Sequence, residues 1–161
     1  MFAQGNIRAL LIALIAGFSA AVPAMAQTAR ATQVPDGASV VILVRATLSA
    51  LNDANRTGNY TVFRDLGTPG FQKSNTAAKL AEIFAKLRKR DLDFRPIVLF
   101  NPKFTKKPAL NKQRMLRLTG FFATSPLRVH FDLAYEWIEN RWRLFGIAVQ
   151  TGQAPEAAKT P

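Results

Sequence analysis

The sequence predicts an α+β fold: three N-terminal helices packed on a curved antiparallel sheet of about four strands. Three observations carry that prediction. Leu127 to Trp137 alternates with period two, with Leu127, Val129, Phe131, Leu133, Tyr135 and Trp137 on one face and Arg128, His130, Asp132 and Glu136 on the other. Successive side chains of a strand point to opposite faces, so the run has an apolar side and a mostly polar side. A second extended run, Arg141 to Gln150, follows after Glu139-Asn140, an interruption short enough for a hairpin. Upstream, apolar residues recur at helical spacing between turn signals, which supplies helices to cover the apolar side.

The chain divides into residues 1–26, a signal peptide; 27–38, a flexible linker; 39–150, the folded domain; and 151–161, a disordered tail. Arg8 precedes an uncharged apolar run, Ala9 to Val22, and Ala24-Met25-Ala26 follows. A charged start, a short apolar core and small residues at a cleavage point define a secretory signal. The run falls short of the ~20 residues a bilayer requires. The expectation is a protein exported to the periplasm or secreted after cleavage near Ala26, with no stable membrane anchor afterwards.

With 161 residues, 48% hydrophobic and 20% charged, the chain suits one globular domain. It has no cysteine, which closes disulfides, thiol chemistry, iron–sulfur clusters and a lipid-anchored N-terminus. The formal charge is +12, and removal of Arg8 leaves about +11. Such an excess favours anionic surfaces such as acidic lipid, lipopolysaccharide or another envelope polymer. Nucleic acid is the least expected of these for an exported chain.

Taken in order, Ser39 is placed to cap a helix running to about Asn55, with Val40, Val44, Leu48, Leu51 and Ala54 as its stripe. Thr57-Gly58-Asn59 breaks it, and Asn59 caps a short second helix, Tyr60 to Leu66, ending at Gly67. Thr68-Pro69-Gly70 reads as a turn and Phe71 as a plug for the core. Ser74 or Thr76 caps a third helix to about Arg90, whose stripe is Ala77, Leu80, Ile83, Phe84 and Leu87. Phe94 to Asn101 reads as a first strand, an edge or late-starting one because Pro96 donates no ladder bond. Pro102 to Asn111 is a loop or a ragged hairpin, Met115 to Ala123 a strand, and Thr124-Ser125-Pro126 the turn into the central strand.

A two- or four-residue loop pairs Trp137 with Trp142, Glu136 with Arg143 and Asp132 with Ile147. It sets Tyr135, Leu133 and Phe131 across from Leu144, Gly146 and Ala148. A three-residue loop with a bulge shifts that register by one and mixes the faces. The even loop is the favoured reading. It makes Glu136–Arg143 a cross-strand ion pair and puts Ile138, Phe145, Ile147 and Val149 on the uncovered face. An apolar patch rimmed by charge suits a homodimer through the sheet.

The element order, with ENRWRLFGIAV as its last strand, resembles the nuclear transport factor 2-like superfamily, a cystatin-like cone. More narrowly, NDANRTGNYTVFRDLGTPGFQ (residues 52–72) followed by AAKLAEIFAKLR is similar to a group of small exported bacterial proteins in that superfamily with no assigned activity. The resemblance covers residues 39–150. It implies the fold and leaves function open, because one scaffold of this kind hosts isomerases, dehydratases, adaptors and binding modules. It implies dimerisation through the sheet, and no catalytic motif of its enzymes maps onto this chain.

His130 and Asp132 are candidates for an acid–base pair, since a carboxylate beside an imidazole raises its basicity. With no nucleophile motif beside them, a solvated or interface-facing pair is the expected reading. No metal is expected: without cysteine and with one histidine, only carboxylates remain, and Asp91 and Asp93 suit a helix end. No cofactor is implied. Tyr60, Arg64, Phe121, Phe131, Tyr135 and Trp137 are candidates to line an interior pocket for a small apolar ligand, or simply to fill it. Lys103, Lys106, Lys107 and Lys112 form a candidate anion-binding cluster, with a solvated face as the alternative. The functional expectation is a non-enzymatic binding or interaction module. The alternatives are an isomerase or dehydratase acting inside the cone, and a binder of anionic polymers.

Overall fold

The computed structural model describes residues 33–153. The signal peptide, residues 27–32 of the linker and residues 154–161 of the tail lie outside these. The architecture is α+β: five helices and an open antiparallel sheet, helices on one face.

Helix α1 spans Gly37–Thr57. Its cap is Asp36, not Ser39: the Asp36 carboxylate accepts from the backbone N–H of Ser39 at 2.8 Å and from its hydroxyl at 2.9 Å. The helix therefore begins inside the expected linker. The stripe is buried as its spacing requires, with Val44, Leu48 and Leu51 fully inaccessible. Gly58 ends the helix at φ 73°, its N–H closing on the Ala54 carbonyl, a left-handed cap that glycine adopts without strain.

Helix α2 is Thr61–Asp65, its first N–H received by the Asn59 side chain at 3.0 Å. The expected turn at Thr68 instead opens α3, Pro69–Ser74, because the Thr68 hydroxyl caps Phe71 N–H and proline is at home in a first helical turn. Phe71 is buried as the plug. Thr76, not Ser74, caps the next helix, and that helix is broken at Phe84 into α4, Ala77–Ile83, and α5, Ala85–Lys89. Leu80, Phe84 and Leu87 face the core, while Ile83 is 53% exposed.

Phe94 to Asn101 is not a strand. Arg95–Leu99 forms a 3₁₀ turn, with Asp93 accepting from Arg95 N–H and Phe94 N–H donated to Asn52 Oδ1 at 2.8 Å. Pro96 sits where a helical first turn accommodates it. Phe94 and Ile97, three apart, are buried, and Val98, Leu99 and Phe100 are exposed.

The sheet has two stubs, β1 (Lys103–Phe104) and β2 (Ala109–Leu110), each paired with β3 (Leu116–Phe122); β4 (Leu127–Ile138) and β5 (Arg141–Gln153) complete it. Gly120 admits β1: a side chain there would overlap the Lys103 carbonyl. Residues 151–153, expected in the tail, extend β5.

Glu139 and Asn140 have φ of 52° and 58°, the two-residue turn whose twist matches its strands. Trp137 faces Trp142, Glu136 faces Arg143 and Tyr135 faces Leu144, as the even loop requires. Beyond that point the register slips by one: Ala134 pairs with Gly146, leaving Phe145 as an extra residue, and Leu133, Asp132 and Phe131 face Ile147, Ala148 and Val149. The bulge reverses the parity of β5. Ile147 and Val149 pack against the core. Gly146, Ala148, Gln150 and Gly152 take their places opposite Ala134, Asp132, His130 and Arg128 on the outer face. The expected outer patch thus loses Ile147 and Val149 to the core side, while Phe145 stays exposed.

Candidate functional site

The inner face of the sheet meets α1 through Tyr135. Its hydroxyl donates to the Leu43 carbonyl at 3.0 Å and lies 2.8 Å from the Thr47 hydroxyl, both on α1. Burial pushes the phenol above its ordinary pKa, with the Thr47 bond offsetting part of the rise. The group is a neutral strut tying helix to sheet. Beside it an apolar cleft of about 150 Å³ runs along the seam, bounded by Leu43, Ala46, Ala50, Phe63, Trp142 and Leu144. Leu66 stands at its rim, 54% exposed.

A second cleft, of about 280 Å³, lies between the 3₁₀ turn and the start of β4, lined by Phe94, Ile97, Thr124, Leu127 and Val129, and aromatic side chains pack the interior between the two. Phe63 packs edge-on against Phe71 and Phe84, each with centroids 6.2 Å apart, and Phe122 lies 5.7 Å from Phe131. The buried polar residues among those described are Asn52, Asn55, Thr68 and Thr124, which supply hydrogen bonds but no carboxylate or imidazole for proton transfer. Tyr60 is buried, donating to Asn55 Oδ1 at 2.5 Å and accepting from Arg88 at 3.1 Å. Asn55 Nδ2 finds no acceptor among the described residues. The two asparagines escaped sequence reasoning. Their signal was available: both fall on the apolar face of the last turns of α1.

The six expected ligand residues therefore scatter. Tyr135 lines the seam cleft; Tyr60 and Phe131 are core packing. Arg64 pairs with Asp65 at 2.6 Å on the surface of α2. Trp137 packs edge-on against Trp142 near the hairpin end, centroids 5.4 Å apart. Phe121 is on the outer face, 4.9 Å beneath the Arg128 guanidinium and 5.5 Å from the His130 ring.

On that outer face His130 and Asp132 line one cleft of about 270 Å³ with Thr105, Thr119 and Gln150, but they do not bond to each other. Arg117 of β3 grips the Asp132 carboxylate with two bonds, at 2.7 and 2.5 Å, and Thr119 adds a third at 3.2 Å. The Arg117 bond is the main reason the carboxyl is held below its usual range. Residues two apart on a strand are separated by roughly 6.6 Å along it, and the nearer guanidinium takes the carboxylate. His130 is exposed and its ring lies tilted against Phe121 instead. The expected Glu136–Arg143 pair is replaced as well. Arg143 binds Glu139 at 3.3 Å and the Asp65 carbonyl at 2.9 Å.

Lys103, Lys106, Lys107 and Lys112 are all exposed, strung along the β1–β2 stretch that borders β3. No three histidine or acidic side chains gather as metal ligands among the described residues. No described helix is long and apolar enough to cross a membrane.

Comparison with protein-family models, with characterised proteins and with solved structures finds no match to this chain. The likeness to the nuclear transport factor 2-like superfamily rests on the residues quoted above and on the order of helices and strands.

Proposed function

We propose that the chain is an exported, non-enzymatic binding module on a nuclear transport factor 2-like scaffold, which receives a small apolar group in the seam between α1 and the β4–β5 hairpin. The observation that carries this reading is the seam cleft itself: an apolar slot of about 150 Å³ between helix and hairpin. A slot of roughly that size takes a benzene-sized group. Tyr135 spends its hydroxyl on α1, so the slot presents apolar walls and selects by shape. Exposed Leu66, just beyond α2, stands at the rim. The packed interior favours binding over the isomerase or dehydratase alternative, since a proton-transfer enzyme of that kind needs an interior base.

Titration of the purified protein with benzyl alcohol and hexan-1-ol, followed by the two indole N–H resonances, tests this. Trp142 is expected to shift saturably, and Ala50→Leu, which narrows the slot, to abolish the shift without unfolding the chain. An unmoved Trp142 resonance, or shifts unaffected by Ala50→Leu, would overturn the reading.

A further inference from the structure

The last strand of the sheet leaves a second feature, independent of the seam cleft. β5 is terminal in the strand order, and among the described residues the backbone of its free edge is paired only at Leu144, by Gly67 and the Thr68 N–H. Beyond the bulge it borders a groove of about 500 Å³. Five consecutive residues, Ile147 to Thr151, line that groove. Their side chains alternate between faces, so what they share is the strand edge, with its unpaired backbone donors and acceptors. The opposite wall is the α4–α5 segment and the residue after it: Ile83, Phe84, Lys86, Leu87 and Arg90, with Phe84 and Leu87 at its buried base.

We propose that this groove binds an extended acidic peptide segment, which adds to β5 as a further strand. Strand addition between a sheet edge and a helix uses backbone bonds for affinity and flanking side chains for selection. Here the flanking groups are an apolar pair, Ile83 and Leu87, and two cations, Lys86 and Arg90, with no carboxylate among the lining residues. The charge selects an acidic partner, and it repels a second copy of this strongly basic chain. Five residues of strand edge span roughly 17 Å, so the recognised segment is about five residues long. Side chains on the helix side of the segment meet Ile83, Leu87 and the two cations, and the alternate ones face away from that wall. Arg90 already reaches the strand, donating to the Thr151 hydroxyl at 2.8 Å, and this brings its charge to the edge.

The test uses a labelled heptapeptide alternating valine and glutamate, the same peptide with N-methylated backbone amides, and a valine–lysine version. Binding is read by fluorescence anisotropy and mapped by backbone amide shifts. The glutamate peptide is expected to bind with shifts at Ile147 to Thr151, the N-methylated and lysine versions to bind at least about tenfold more weakly, and Lys86→Glu with Arg90→Glu to reverse the charge preference. Both substituted side chains are exposed, so the fold survives the change. Equal binding of the N-methylated peptide, shifts confined to Lys103–Lys112, concentration-dependent dimerisation through β5, or no binding below about 1 mM would each overturn the proposal. The seam-cleft reading is unaffected by any of these results.

Discussion

The two edges of the sheet are built in opposite ways. On the β3 side the edge is broken into two-residue stubs, β1 and β2, flanked by Pro102 and Pro108 and studded with Lys103, Lys106, Lys107 and Lys112. Short edge strands, proline and lysine are the means by which proteins keep sheet edges from pairing with other chains. On the other side β5 runs for 13 residues, and past Leu144 the edge that faces away from β4 meets no strand among the described residues. One edge is closed against partners and the other is left able to take one. The contrast gives the lysine row a structural reason as well as a possible ligand, and it directs the search for a protein partner to β5.

The closed edge is the easier to break. Gly120 lies where β1 crosses close to β3, and a methyl group there would overlap the Lys103 carbonyl and crowd Phe131. Gly120→Ala is therefore expected to detach β1 and destabilise the fold by about 1–3 kcal/mol, as overpacking does. Chemical denaturation measures this, and a lowered midpoint together with new aggregation would mark an edge reopened. An unchanged midpoint would show that β1 is dispensable.

A smaller effect sharpens the same contrast. On the outer face Arg117 and Asp132 clamp β3 to β4 by charge; across β4–β5 the facing pairs include Ala134–Gly146 and Asp132–Ala148. The Asp132 carboxyl is held below its ordinary value of 3.8, chiefly by the Arg117 hydrogen bond. A carboxyl depressed in the folded state contributes stability above its unfolded pKa and loses it as pH falls through the folded value. Asp132→Asn is accordingly expected to cost up to about 1 kcal/mol at neutral pH, since the pair is partly exposed, and to flatten the loss of stability below about pH 4. An unaltered acid-unfolding curve would remove the clamp from the account.

Much of this was legible in the sequence, and the failures have physical causes. The alternation from Leu127 to Trp137 fixes which side of β4 is covered, and the α1 stripe reads correctly because its helix packs on one face only. The bulge at Phe145 was misread because period-two alternation was carried straight through it. Its signal is nonetheless present: the large apolar residue is Leu144 on one parity, then Ile147 and Val149 on the other, a phase slip that an unbulged strand facing one core does not show. Phe94 to Asn101 misled for a different reason. Its apolar run looks like a buried strand, but Pro96 and Asp93 together start a helical turn, and Val98 and Leu99 are left outside. The His130–Asp132 pairing failed because Arg117, distant in sequence, competes for the carboxylate. The β5 groove could not be read at all, since its walls come from residues 83–90 and 147–151 and only the fold brings them together.

Amide hydrogen exchange tests the two-edge account most directly. In β3 and β4, paired on both sides over much of their length, the amides of Leu116–Phe122 and of Val129–Tyr135 are expected to be protected on alternate and successive residues alike. In β5 between Ile147 and Gln153, every second amide is expected to exchange near the unfolded rate while its neighbours, bonded to β4, stay protected. Uniform protection along that stretch of β5 would mean that its edge is already covered, and would contradict the account.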